Sequence, residues 1–402
     1  MTETPAANGQ GKTVYLHIGT PKSGTTYLQD VLANNREKLA ERGVLWPRGG
    51  WVRQVHAARD LANINPHNHK ASDVAGAWRR LADEINAWRG HTAIVSMEWL
   101  VSAGPKQVKR AVDSLAPATV KVVITGRDLA RILPASWQES MQNWSSFTWD
   151  DYIAALADPE SSDVEAGQRM WRQQDIGAIL RRWNKVIPME RMHVVTVPPP
   201  GADSGVLWQR FAEVLGLDPA DYDSTSNRQN TSLGVVSAEL MRRVNSRAKE
   251  RGLGWKASEK LVKQILAKRV LTTRSRDESS LTLPADLYPW VVEQSKRIVT
   301  EVEQTGVRVW GDLEELIPDP AHAREGTTPE TVTDSELLDA ALDGIVGMVG
   351  QVNDTLDALK QQSANLRGKL DAAEQKLQNR GRASGGLRRL ARHRPNGTRP
   401  TG

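Results

Sequence analysis

The sequence predicts an α/β fold: a doubly wound parallel sheet flanked by helices, followed by a long C-terminal helix that forms a coiled coil. Three observations predict it. Short β-rich apolar runs alternate with segments of helical spacing. The first run ends in a glycine loop that opens a helix. An unbroken heptad begins at Leu338.

The elements follow in order. "TVYLHIG" is a strand ending at Gly19. "TTYLQDVLANNREKLAERG" places Tyr27, Leu28, Val31, Leu32 and Leu39 at helical spacing, with Gly43 as the stop. "VLWP" is a short strand. Asp73 to Arg89 reads as a helix through Val74, Trp78, Leu81, Ile85 and Trp88. "TAIVSME" is a buried strand, apolar until Ser96, and a helix follows over Pro105 to Leu115. "TVKVVITGRD" is the next strand, ending at Arg127. "ILPASWQESMQNW" is a helix with Pro134 expected near its first turn, where proline fits. Trp171 to Trp183 is a helix, "RMHVVTVP" a strand and "SGVLWQRFAEVLGL" a helix. Ligands on parallel sheets of this kind sit beyond the carboxyl ends of the strands. The loop at 19–26, Glu98 and Arg127 all fall at such ends.

The chain has 402 residues, 39% apolar and 25% charged, as expected of a soluble globular protein. Fourteen Trp stand against two Phe; core filling is the plain reading and a ligand cleft the alternative. With no Cys there is no disulfide, thiolate metal site or Cys nucleophile. The polar start "MTETPAANGQGK" and the lack of a long apolar run lead us to expect a cytoplasmic protein. From Arg380 onward there are seven Arg and no Lys, Asp or Glu, so the formal charge of +5 becomes about −2 for the rest. The basic character belongs to a tail, and no specific nucleic-acid partner is expected of the body.

The expected organisation is a disordered N-terminus over 1–11, an α/β domain over 12–317 and a linker over 318–333, rich in Pro, Thr, His and acid. A coiled-coil helix over 334–379 and a basic disordered tail over 380–402 complete it. Thr333 and Glu336 have capping-box spacing. From Leu338 to Leu377 apolar residues recur in steps of four and three, broken in polarity by Ser363. A homo-oligomer is the expectation; one helix folded back on the body is the alternative, and Gly344, Gly347 and Gly350 weaken the first half. The Arg-rich tail is either a solvated end or a contact for an anionic surface.

The chemistry centres on "HIGTPKSGTTYLQ", His17 to Gln29. Gly19 and Gly24 have the spacing of a Walker A loop, but Thr25 stands in the place of its lysine and Lys22 sits inside the loop. Backbone N–H groups at 22–26 can cradle a phosphate at the helix N-terminus, with Lys22 as a point charge and Ser23, Thr25 and Thr26 as hydroxyl donors. The strands end in Glu98 or Arg127, so no Walker B aspartate is evident and no metal is expected.

Pro21 to Thr26, "PKSGTT", resembles the 5′-phosphosulfate loop of sulfotransferases that use 3′-phosphoadenosine 5′-phosphosulfate (PAPS), which reads P-K-[ST]-G-[ST]-[ST]. The resemblance spans 12–317 in size and order, and it implies a P-loop-type fold. It implies PAPS as co-substrate and a hydroxyl acceptor (a small molecule, sugar or lipid). It also implies that Lys22, Ser23, Gly24, Thr25 and Thr26 hold the 5′ end, with Lys22 catalytic as well. The family's second signature, an Arg at a strand end and a Ser in the next helix holding the 3′-phosphate, falls on Arg127 and Ser136. The usual place of that Ser, eight residues on, is Ala135 here, so Ser136 departs by one residue.

A hydroxyl acceptor needs a base. Glu98 is the first choice and His56, in "WVRQVHAARDL", the second; His17 lies in a strand and reads as structural. Trp144 and Trp149 are expected to wall the acceptor site. "SNRQNTSLG" offers Arg228, Asn230 or Ser232, and "TTRSRDESS" offers Arg274 or Arg276. The alternatives are a P-loop kinase and a non-catalytic coiled-coil assembly protein.

Overall fold

Six parallel strands lie in the order β2-β3-β1-β4-β5-β6. They are β1 (Thr13–His17), β2 (Val44–Leu45), β3 (Thr92–Ser96), β4 (Thr119–Gly126), β5 (Met192–Thr196) and β6 (Arg308–Trp310). The structure is a computed structural model that describes residues 11–63, 74–203, 205–226, 233–255, 258–323 and 326–390, the last stretch by its backbone alone after 376. The N-terminal expectation, Asp73 at the start of one predicted helix, and Arg228, Asn230 and Ser232 therefore lie outside or at the edge of the described residues.

The order of strands positions the site. β1 and β4 are neighbours at the centre, with Leu16 beside Val122 and His17 beside Val123. The chain leaves β1 toward the β2–β3 edge and leaves β4 toward the β5–β6 edge. The connections leaving the two central strands thus run to opposite sides, and a switch point of this kind opens a crevice at the strands' carboxyl ends. β1, β3 and β4 are apolar because both sheet faces are covered: Val14, Leu16, Ile94, Val122 and Ile124 have no exposed surface.

The helices of the first part are α1 (Thr25–Asn34), α2 (Arg36–Glu41), α3 (Gly50–Ala62), α4 (Ala77–Ala87) and α5 (Pro105–Leu115). Next come α6 (Leu129–Gln142), α7 (Trp149–Ala157), α8 (Ala166–Gln174), α9 (Ile176–Asn184) and α10 (Val206–Leu215). The later ones are α11 (Val235–Glu250), a π-helix α12 (Ser258–Leu271), α13 (Tyr288–Gln304) and α14 (Asp334–Leu390).

Several differences from the sequence reading have local causes. The helix expected to run from Thr25 toward Gly43 breaks at Asn35. The Asn35 amide donates to Val31 O and Asp223 O (both 2.8 Å) and accepts from Asp223 N (3.0 Å), side-chain bonds that accompany the turn in the backbone there. The helix expected over Trp171–Trp183 breaks at Asp175, whose carboxylate caps Ala178 N at 2.8 Å and receives Arg297 at 2.9 Å. Pro134 is inside α6 rather than in its first turn, because the helix already starts at Leu129. Asp128 explains that start, since it accepts from Arg131 N as the N-cap.

Within 318–333, read as a linker from composition, several described residues pack against the body. Pro318, Thr328 and Pro329 are buried, and Thr282 and Thr327 exchange hydrogen bonds of 3.1 and 3.0 Å. α14 opens with the expected capping box: Glu336 N donates to Thr333 Oγ1 (3.3 Å) and Thr333 N donates to Glu336 Oε2 (2.8 Å). Its backbone is helical through Leu390, into the stretch expected to be a disordered tail. Chain contacts divide the molecule into Met1–Ala341 and Leu342–Gly402. No helix among the described residues is long and apolar enough to cross a membrane.

Candidate active site

The glycine loop leaves β1 at Ile18 and is pinned to β4 by Thr20 N donating to Thr125 O at 2.7 Å. Gly19, Lys22 and Gly24 all adopt left-handed backbone, with φ of 68°, 67° and 81°. For a lysine that conformation is strained, and strain of this kind gathers at functional sites. Gly24 is required twice over: besides its φ, a Cβ there would lie 2.4 Å from Leu207. Gln174 closes the far side by donating to Pro21 O at 2.9 Å. The N–H groups of the first turn of α1 have no intrahelical acceptor, so the loop delivers them to the crevice.

A buried polar network supports the loop. Ser23 Oγ lies 2.5 Å from both Thr20 O and Thr125 Oγ1. Thr125 contacts His17 Nε2 (3.2 Å), His17 Nδ1 contacts Ser96 Oγ (2.8 Å), and Gln29 donates to Ser96 O (3.0 Å). Gln54 on α3 accepts from Ser96 N at 2.8 Å. Burial pushes the His17 imidazole down to about 3, so it is neutral and structural, as its place in the strand predicts. Ser23 therefore offers its backbone to a ligand, while its hydroxyl faces inward.

Glu98 follows β3 and opens a short 3-10 turn, Glu98–Ser102. It is the loop's nearest carboxylate: Thr25 Oγ1 donates to Glu98 Oε2 at 2.5 Å, and a Cβ on Gly19 would come within 3.1 Å of Glu98 Cβ. Burial raises the Glu98 carboxyl above the usual range; the Thr25 hydrogen bond opposes this, Glu139 adds to it and Lys22 opposes it. Lys22 Nζ sits 3.0 Å from Glu139 Oε2. Lys22, Thr25, Glu98 and Glu139 thus form one cluster at the mouth of the crevice.

Arg127 follows β4 and turns its guanidinium onto the loop, Nη1 donating to Lys22 O at 3.3 Å. The neighbouring carboxylate, Asp128, is taken by Arg131 through both its backbone N and its Nε. Arg127 Nε is buried and has no acceptor among the described residues. Burial, then the nearby Arg131, lowers its pKa from the ordinary arginine value. A buried guanidinium with an orphaned N–H can donate to an anion, a property Arg127 shares with Arg36, Arg59 and Arg182 among the described residues.

The remaining candidates scatter. Ser136 is half-buried two turns into α6 beside Tyr152, and no hydrogen bond joins it to Arg127. His56 is half-buried in α3, the helix that carries Gln54 to Ser96. Trp149 is no cleft wall: it is 2% exposed and packs edge-on to Trp137 at 6.1 Å. Trp144 lies half-buried under Lys249, whose Nζ is 5.9 Å from the ring. Arg274 donates to Glu278 at 2.8 Å, which also receives Ser237, so this arm holds the start of α11.

Sequence reasoning missed Glu139, Gln174 and Lys263. Glu139 lies one turn beyond Ser136 on α6, a spacing that could have flagged it. Lys263, on π-helix α12, donates to Asn143 Oδ1 at 2.6 Å. Its pKa is lowered by burial first and Lys268 second, with Glu139 among the opposing charges. No local signal in the sequence marks it.

The central parallel sheet, its crevice and the glycine loop define an α/β protein of P-loop type, with a long C-terminal helix. No protein-family model and no curated protein matches the sequence. Among solved structures, the chain is similar to a sulfotransferase from Alicyclobacillus acidocaldarius, with 12% identity, 60% of this chain and 94% of the other covered, and a TM-score of 0.37. It is also similar to a sulfotransferase domain from the curacin biosynthetic pathway, with 12% identity, coverage of 54% and 81%, and a TM-score of 0.29.

Proposed function

We propose that the chain transfers a sulfuryl group from PAPS to a hydroxyl of an acceptor. The observation that carries this reading is the contact of Arg127 with the carbonyl of Lys22. It joins the two halves of the motif, 105 residues apart, at one crevice. The residues present fit the nucleotide. The N-terminal turn of α1 and Lys22 suit the 5′ phosphosulfate, and the orphaned Arg127 Nε suits a 3′-phosphate.

The step is an in-line displacement. The acceptor oxygen bonds to sulfur while the bond from sulfur to the bridging oxygen of the 5′-phosphate breaks. The electron pair leaves with adenosine 3′,5′-bisphosphate, and the acceptor proton passes to Glu98. Lys22 balances the charge that builds on the bridging oxygen, where a fixed cation is worth most. Glu98 is preferred to His56 as base because its carboxylate is already hydrogen-bonded into the loop by Thr25. The α1 N–H groups and Lys22 supply the positioning without a metal carboxylate.

Incubation with radiolabelled PAPS and a panel of hydroxyl acceptors tests the reading. Label on an acceptor with matching bisphosphate release is expected. Tight ATP–magnesium turnover with no bisphosphate binding would instead favour a kinase.

A further inference from the structure

The C-terminal helix carries an apolar seam that no described residue covers. Leu342, Val349, Leu356, Leu359, Leu366 and Leu370 are 50% to 64% exposed. Single exposed leucines are ordinary; a row of them is not. The seam keeps alternating steps of four and three from Leu338 to Leu377 without a slip. That period is 3.5 residues, the repeat of helices that supercoil around one another, and a straight helix on a globular surface would drift off it. Gly344, Gly347 and Gly350 add a second argument, since each costs about 1 kcal/mol in a helix interior relative to Ala. A lone helix so composed, with its apolar face in water, lacks a source of stability; a partner burying the seam supplies one.

We infer that the partner is a second copy of this chain, bound as a parallel, in-register two-stranded coiled coil. Charge complementarity selects this arrangement. Lys369 flanks the seam just before Leu370, and Glu374 flanks it just after Ala373. In a parallel pair, Lys369 of one copy faces Glu374 of the other, and the contact occurs twice. An antiparallel pair centred on the seam sets Asp339 against Glu374, like against like. It also sets Ser363 against Val352, whereas the parallel pair sets the polar Ser363 against its own counterpart. A single polar seam position is the usual device for fixing register. This inference is independent of the proposed activity.

The chain has no cysteine, which makes the test direct. Full-length Ser363→Cys should form a covalent dimer under mild oxidation, because only the parallel register brings the two sulfurs within bonding range. Light scattering should show the unmodified chain as a dimer, Leu356→Asp as a monomer, and Glu374→Lys with markedly weakened association. The swap Lys369→Glu with Glu374→Lys should restore the dimer. A monomeric native chain at micromolar concentration would overturn the inference. So would a dimer in which Ser363→Cys does not crosslink, or an assembly larger than two.

Discussion

The Lys22 ammonium lies 3.0 Å from the Glu139 carboxylate, across the mouth of the crevice from the Thr25–Glu98 hydrogen bond. The lysine comes from a loop residue with left-handed backbone, and the glutamate from the third turn of α6. A cation held this way is placed by its backbone before any ligand arrives. Both groups are partly exposed, so the pair itself adds little to stability. Its consequence is the position of the charge.

Lys22→Ala should therefore reduce sulfuryl transfer far more than nucleotide affinity. The expected loss in single-turnover rate is roughly 100-fold or more, with a much smaller change in Kd, because the charge is needed most in the transition state. Rapid-quench kinetics beside a binding titration measure both. Equal losses would assign Lys22 to ground-state binding alone.

Arg127→Ala should weaken adenosine 3′,5′-bisphosphate by about 1.5–3 kcal/mol, the range for hydrogen bonds to charged groups. Affinity for a nucleotide lacking the 3′-phosphate should hardly change. If both ligands lose equally, Arg127 serves the loop through Lys22 O and not the phosphate.

Glu98→Gln should cut transfer by roughly 100- to 10,000-fold while leaving bisphosphate affinity intact. A base works only when deprotonated, so activity should fall as the solution is made acid. Because burial raises the Glu98 carboxyl, the midpoint of that fall should lie above the ordinary carboxylate range. A pH–rate profile that stays flat through that region would remove Glu98 as the base.

Acid should also destabilise the fold through His17. Its imidazole is pushed down to about 3 in the folded chain against an ordinary value of 6.5. The unfolded chain therefore takes up a proton as pH falls below 6.5, and the folded chain takes it up only near 3. Stability from this group is complete above 6.5 and is lost progressively on acidification through that window. Urea unfolding at about pH 7.5 and about pH 5 should show the loss, and His17→Gln should shrink it. His193, pushed down to about 4, supplies a residual dependence of the same sign.

Much of the central sheet was legible because its signals are local. β1, β3, β4 and β5 are apolar runs ended by Gly or a polar residue, and Pro105–Leu115 is bounded by Gly104 and Pro105 at one end. The loop and Arg127 were legible because strand ends on a parallel sheet share one edge. β6 was missed because it is three residues long and starts with an arginine. The breaks at Asn35 and Asp175 involve partners at residues 223 and 297, which no window of sequence contains. The same holds for Glu139, which became visible as part of the cluster only when α6 brought it against Lys22. Trp149 was misplaced because an aromatic beside a polar loop reads alike whether it faces the core or a cleft.

The central claim is that the crevice between β1 and β4 holds a 3′-phosphorylated adenosine nucleotide. The most direct test is calorimetric titration of the full chain with adenosine 3′,5′-bisphosphate, beside ATP with magnesium. The account predicts tight binding of the bisphosphate and weak binding of ATP. Tight ATP binding with no response to the bisphosphate would contradict it.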